Sequence, residues 1–307
     1  MTHWKLILSY DGTPFHGWQI QPGLPTVQGL LSDAIHRTVG ERVLPQGSGR
    51  TDTGVHALGQ VASFSLEAPI PAANLHNALN RCLPPSIRVL SAEAVPPDFH
   101  ARHSATRKSY EYRIFPLKST PLEPSTANLE LCCDRICPPI LAPYVWPCPW
   151  PLMLDLLNRA AAHVAGTHDF TSFAASDPDL ATRAEPCASG QKSCHSERSE
   201  ESPHPAGDGP LLKTNIRTIY DSGWHAQESL LIYRVTATGF LHHMVRNLVG
   251  TFVQCGANRL DPDSIPTLLT ARNRSAAGPT APPTGLFLVS VEYPPPGSLQ
   301  PATCNSK

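Results

Sequence analysis

Lys5-Leu6-Ile7-Leu8-Ser9-Tyr10 runs into Asp11-Gly12-Thr13-Pro14, and Thr26 then opens Val27-Gln28-Gly29-Leu30-Leu31-Ser32-Asp33-Ala34-Ile35-His36-Arg37-Thr38-Val39-Gly40. The first stretch alternates, with Leu6, Leu8 and Tyr10 against Lys5, Ile7 and Ser9, and ends in turn residues, so it predicts a strand. In the second, Val27, Leu30, Leu31, Ala34, Ile35 and Thr38 recur at helical spacing between an N-capping threonine and a stopping glycine, which predicts an amphipathic helix. A strand followed by a helix with one apolar stripe sets the theme for the rest of the chain.

The same reading carried outward predicts strands over 61–67, 87–95, 109–115, 216–225, 230–238 and 285–293. Helices are predicted over 71–83, 152–165, 241–256 and 264–271. Strands and helices recur in both halves, which implies an α+β fold of two similar lobes, antiparallel or mixed sheet backed by helices, with a cleft between them. The expected division is an N-terminal lobe over 1–115 and a C-terminal lobe over 116–293. Residues 175–214 lack apolar periodicity and read as an insert outside the fold, 137–151 as a Pro-rich irregular connection, and 294–307 as a frayed tail.

A chain of 307 residues, 41% of them hydrophobic, has enough apolar material for one or two substantial cores. No run is long and apolar enough for a membrane span and no signal peptide opens the chain, so the cytoplasm is the expected location. The nine cysteines are read as free thiols, because Cys132, Cys133 and Cys137 lack paired zinc-ligand spacing. The formal net charge of −1 argues against a nucleic-acid partner until its distribution is considered; without the acidic stretch 176–210 the remainder carries +3. Arg102, Arg107, Lys108 and Arg113 form one basic segment, and Arg234, Arg246, Arg259, Arg272 and Arg274 another.

Chemistry concentrates in Gly47-Ser48-Gly49-Arg50-Thr51-Asp52-Thr53-Gly54-Val55-His56-Ala57, placed between a helix and a strand. Its glycines permit tight turns and close approach to a ligand. In an extended segment Arg50 and Asp52 leave the same face, so the guanidinium is expected to pair with the carboxylate and keep it ionised. From the residues alone, a catalytic carboxylate and a surface turn with a salt bridge both remain open. An aspartic protease is disfavoured, since that chemistry needs two carboxylates sharing a proton and an arginine fixed beside Asp52 would drive both toward ionisation. A noncatalytic RNA-binding module, built on basic stretches interleaved with Trp18, Tyr110 and Tyr112, is the other alternative.

Gly49-Arg50-Thr51-Asp52-x-Gly54-Val55-His56-Ala57 resembles the catalytic signature of the TruA family of tRNA pseudouridine synthases. Six further segments are similar to blocks of that family in the same order: Tyr10 to Gln19, Phe99 to Arg102, Lys108 to Tyr112, Gly166 to Phe170, Gly239 to Asn247 and Ala277 to Pro282. The resemblance implies isomerisation of uridine to pseudouridine at nucleotides 38 to 40 of the tRNA anticodon arm. It implies a homodimer with basic clefts drawing on both subunits, and no nucleotide, metal or other cofactor. Asp52 matches the family's catalytic aspartate and Tyr110 its active-site tyrosine. Arg50 would hold the phosphate backbone or fill the space of a flipped base. Arg246 is expected to reach Asp52 from the second lobe, one helical turn beyond His242. Arg102 and Lys108 are the remaining substrate-binding candidates. His242 and His243, being adjacent, are expected to point to different faces and to serve packing or phosphate contact, and His56 to be structural or solvated.

Overall fold

The computed structural model describes residues 1–118, 135–175 and 214–295. The expected insert and tail, and with them Cys132 and Cys133, lie outside the described residues apart from the edges of those segments. The strands are β1 (Thr2–Tyr10), β2 (Gln46–Gly47), β3 (His56–Leu66), β4 (Ile87–Val95), β5 (Arg107–Pro116), β6 (Trp146–Cys148), β7 (Gly166–Asp169), β8 (Ile216–Gln227), β9 (Leu230–Ala237) and β10 (Leu286–Glu292). Among the described residues the α-helices are α1 (Val27–Val39), α2 (Ala72–Cys82), α3 (Leu154–Ala162), α4 (Met244–Gly256) and α5 (Ile265–Ala271). The fold is α+β, and none of these helices is long and apolar enough to cross a membrane.

Among the described residues the ten strands form one mixed sheet, ordered β4-β1-β3-β10-β5-β9-β8-β7, with β2 on β3 and β6 on β5. The last strand joins the halves. It lies parallel to β3, pairing Phe287 with His56 and Leu288 with Ala57, and antiparallel to β5. Because β10 arrives beside the end of the glycine-rich loop, whatever precedes β10 in sequence is brought against that loop.

β1 buries Trp4, Leu6, Leu8 and Tyr10 on one face, as the alternation requires. In α1 the Thr26 hydroxyl accepts from the Gly29 N–H, Gly40 ends the helix at φ 79°, and Val27, Leu31, Ala34 and Ile35 face the core. α1 packs on α2, α2 on β4, and α3 on both α4 and β8. α4 is buried along almost its whole length. At Gly250 a Cβ would sit only 1.7 Å from the Pro279 carbonyl oxygen, so no side chain fits where the segment before β10 crosses that helix.

Three local differences from the sequence-based expectation have physical causes. β3 begins at His56, not residue 61, because its first residues pair with β10 from the far end of the chain. α4 begins at Met244, not residue 241, because His243 takes the left-handed conformation (φ 57°) that cannot continue a helix. Within the Pro-rich connection, Trp146–Cys148 pairs in parallel with β5, an arrangement set by its partner strand and not by its own pattern.

Candidate active site

The loop between β2 and β3 is fixed from beneath. The Ser48 hydroxyl donates to Gln60 Oε1 (2.6 Å), Gln60 Nε2 donates to the Gly49 carbonyl (2.9 Å), and Lys108 Nζ donates to the Ser48 carbonyl (2.5 Å). Further along, the Thr51 hydroxyl bonds the Tyr10 hydroxyl (2.8 Å), and the Trp18 N–H donates to the Thr51 carbonyl. Gly17, at φ 82°, lies so close to that carbonyl that a Cβ would come within 2.5 Å of it. Two of the segments that resemble the TruA family therefore meet here through backbone geometry that larger residues would obstruct.

The Val55 N–H donates to the Asp52 carbonyl, closing a turn in which Gly54 takes φ 77°. The turn presents the Asp52 carboxylate, 23% exposed, to a pocket lined by Arg50, Tyr110, Phe240, His243, Arg246 and Leu286 among others. Arg246 Nη1 donates to Asp52 Oδ2 at 3.0 Å, His243 Nε2 lies 3.1 Å from the same oxygen, and His242 Nε2 lies 3.6 Å from Oδ1. Burial on its own raises the carboxyl pKa, but the hydrogen bonds and charges of His243 and Arg246 outweigh it. The net effect holds Asp52 below the usual carboxylate range.

The expected pairing of Asp52 with Arg50 is thus corrected: the guanidinium on the carboxylate is that of Arg246. Strand alternation, on which the Arg50 pairing rested, ends where the turn at Asp52 begins. Arg50 is exposed and lines the pocket. Arg246 reaches Asp52 from the other half of the chain, as anticipated, although His242 precedes the helix instead of sharing a helical face with it.

The expectation that His242 and His243 point to different faces is also corrected. The left-handed conformation of His243 turns both rings to one side, where they stack with centroids 3.9 Å apart and face Asp52. Together with Asp52 they offer three ligand atoms within 4.8 Å of one another, a donor set a transition-metal ion accepts. The Arg246 cation on the same carboxylate opposes a second positive charge there.

Tyr110 on β5 is 8% exposed and packs edge-on against Phe240, with centroids 5.0 Å apart. Burial, then the nearby Tyr10 and Asp52, push its phenol well above the usual range, so the hydroxyl stays protonated at neutral pH. Tyr112, two residues on, is fully buried, and its hydroxyl donates to the Pro282 carbonyl at 2.7 Å. Of the two tyrosines, Tyr110 is the one that lines the pocket.

Lys108 lies on the same strand face as Tyr110, opposite Ala237 of β9, which in turn pairs with Ile219 of β8. Arg217, two residues before Ile219, therefore extends the row across three strands; sequence reasoning missed it because nothing local marks it. Burial, then the charges of Arg102 and Arg217, lower the Lys108 ammonium to about 8. Arg102 is exposed at this rim.

His56 is buried, accepting from the Gly12 N–H at Nδ1 (3.0 Å) and facing the carbonyls of Pro143 and Thr284 at Nε2 (3.1 and 3.2 Å). Those partners define the neutral tautomer with the proton on Nε2. Its role in this geometry is to tie three segments together behind the loop.

The family described as tRNA pseudouridine synthase matches residues 6–104 and 160–294. The chain belongs to that family of isomerases. A tRNA pseudouridine synthase A from Solibacter usitatus (strain Ellin6076) is 43% identical over 290 residues, covering 94% of this chain and 98% of the relative. One from Moorella thermoacetica (strain ATCC 39073 / JCM 9320) is 40% identical over 291 residues, with the same coverage of 94% and 98%. A third, from Thermoanaerobacter sp. (strain X514), is 36% identical over 293 residues, covering 95% of this chain and all of the relative.

Proposed function

We propose that this protein is a tRNA pseudouridine synthase that converts uridines at positions 38 to 40 of the anticodon stem-loop, with Asp52 as the catalytic nucleophile. The observation that carries this reading is the Asp52 carboxylate itself. It is oriented by Arg246 at 3.0 Å and His243 at 3.1 Å, and it opens on the pocket that contains Tyr110. A carboxylate kept ionised and fixed in direction, yet open to a ligand, suits covalent attack on a reacting sugar or base.

The reaction breaks the bond from uracil N1 to C1′, turns the base and forms a bond from C5 to C1′; the C5 proton leaves to solvent and N1 acquires one. The target base must leave the stack to reach Asp52. Exposed Arg50 supports a role in occupying the vacated space or binding the neighbouring phosphate. The Tyr110 ring supports stacking on the uracil while it is detached. Lys108, Arg102 and the newly found Arg217 line a basic rim suited to phosphates flanking the target. The same reading places the enzyme in the cytoplasm as a homodimer with tRNA as its partner, and keeps lobes over 1–115 and 116–293 on either side of the cleft.

Tritium release from tRNA labelled at uridine C5 tests the reading. Release is expected from transcripts with uridine at 38, 39 or 40 and not from transcripts lacking all three; equal release from both would overturn the assignment of position.

A further inference from the structure

Arg246 is held by two groups at once. Its Nη1 donates to Asp52, and its Nε donates to the Ala281 carbonyl at 2.8 Å, while the Ala281 N–H donates back to the Arg246 carbonyl at 3.1 Å. The direction of the guanidinium therefore depends on where residues 277–284 lie. That strap also touches the Asp52 loop: the Pro283 ring lies where a Cβ on Gly54 would meet it at 3.2 Å, and the Thr284 carbonyl faces His56 Nε2. One strap thus sets both sides of the Arg246–Asp52 pair.

Arg274 fixes the strap. Its Nη1 donates to the Gly278 carbonyl (2.9 Å), and its Nη2 to Thr280 Oγ1 (3.0 Å) and to Asn247 Oδ1 (2.9 Å). Asn247 is the fully buried neighbour of Arg246 on α4, anchored by Nδ2 on the Phe173 carbonyl (2.7 Å), and the Thr280 hydroxyl donates to its Oδ1 (2.7 Å). The Gly278 N–H donates to Thr251 Oγ1, one helical turn beyond Asn247. The planar fork of an arginine suits one residue bridging a helix side chain, a strap carbonyl and a strap hydroxyl. Arg274 does not line the pocket.

We infer that Arg274 is a positioning residue for the isomerisation, acting through the strap to hold Arg246 on Asp52. The inference rests on the reading of Asp52 as the catalytic carboxylate. Loosening the strap misplaces Arg246, and a misplacement of about an ångström at a reacting centre costs up to roughly a hundredfold in rate. Asp52 then loses part of what keeps it ionised, so its protonation interferes at higher pH.

The test measures kcat, KM and the pH profile of kcat on one tRNA for Arg274→Met, Arg274→Lys, Arg246→Met and the Arg274→Met/Arg246→Met pair. Arg274→Met is expected to lower kcat about tenfold or more with KM within about threefold, and to move the acid limb of the profile upward. Arg274→Lys, with one donor group in place of a fork, recovers part of the loss. The double variant should match Arg246→Met within about twofold, because Arg274 acts only through Arg246. Should Arg274→Met fail to fold, Thr280→Val removes one hydroxyl of the same network at an exposed position and is expected to move kcat and the acid limb in the same direction. Multiplicative losses in the double variant, or an acid limb that stays in place in the variants that fold, would overturn the inference. An active Asp52→Asn enzyme would instead overturn the reading beneath it, so the two failures are distinguishable.

Discussion

Arg246 and Asp52, 194 residues apart in sequence, meet at 3.0 Å between Nη1 and Oδ2, and that pair joins the helix after β9 to the loop before β3. Arg246→Lys keeps a cation but cannot donate to Ala281 and Asp52 from one planar group. Its kcat is expected to fall about tenfold or more while tRNA affinity changes little, since the contact serves the carboxylate more than the substrate. Single-turnover kinetics separated from binding measurements check this.

The basic rim should report on phosphate contacts through salt. Lys108→Met and Arg217→Met are each expected to reduce the slope of log affinity against log salt by about one. Lys108, with burial and its cationic neighbours lowering it to about 8, loses charge as pH rises past that value. Wild-type tRNA affinity should therefore weaken between neutral pH and pH about 9 more than that of Lys108→Met. Filter binding at two pH values decides it; identical pH dependence would place Lys108 in the loop scaffold alone.

Tyr110→Phe and Tyr110→Ala separate ring from hydroxyl. Base stacking is worth roughly 1 to 3 kcal/mol by alanine substitution, so alanine should weaken substrate capture about fivefold or more. Phenylalanine should bind nearly normally and lower kcat if the hydroxyl orients the detached uracil. Steady-state kinetics on one tRNA suffice, and normal kinetics in both variants would make Tyr110 a packing residue.

His56 gives a pH signature in stability. Burial, opposed by the Asp11 charge and the carbonyls at Nε2, depresses its pKa below 6.5. The folded state therefore binds fewer protons than the unfolded chain between the depressed value and 6.5. The contribution is present above about 6.5 and lost as pH falls below it through the folded value. His56→Gln should flatten this part of the stability curve and cost about 2–4 kcal/mol at neutral pH through unsatisfied buried groups. Urea melts across acidic to neutral pH read both effects.

Sequence reasoning reached α1 almost residue for residue, because cap, stripe and stop all act locally. It reached the Asp52 loop through the order of its residues, and Arg246 through the resemblance to the TruA family. It misplaced the partner of Asp52 because the choice between Arg50 and Arg246 is made by a turn and a distant helix. The backbone twist at His243 that brings two adjacent rings to one carboxylate has no decisive residue signature: histidine is among the non-glycine residues enriched in the left-handed region, but few histidines adopt it. Arg217 and the early start of β3 depend on strand neighbours far away in sequence.

The most direct test of the account is tritium release from C5-labelled tRNA by Asp52→Asn, measured beside its tRNA affinity. The amide keeps the size and hydrogen-bonding reach of the carboxylate but removes the charge and the nucleophile. The account predicts that release is abolished while tRNA binds equally well or slightly better, because a negative charge has been taken from an RNA-facing pocket. Release within tenfold of wild type would contradict it.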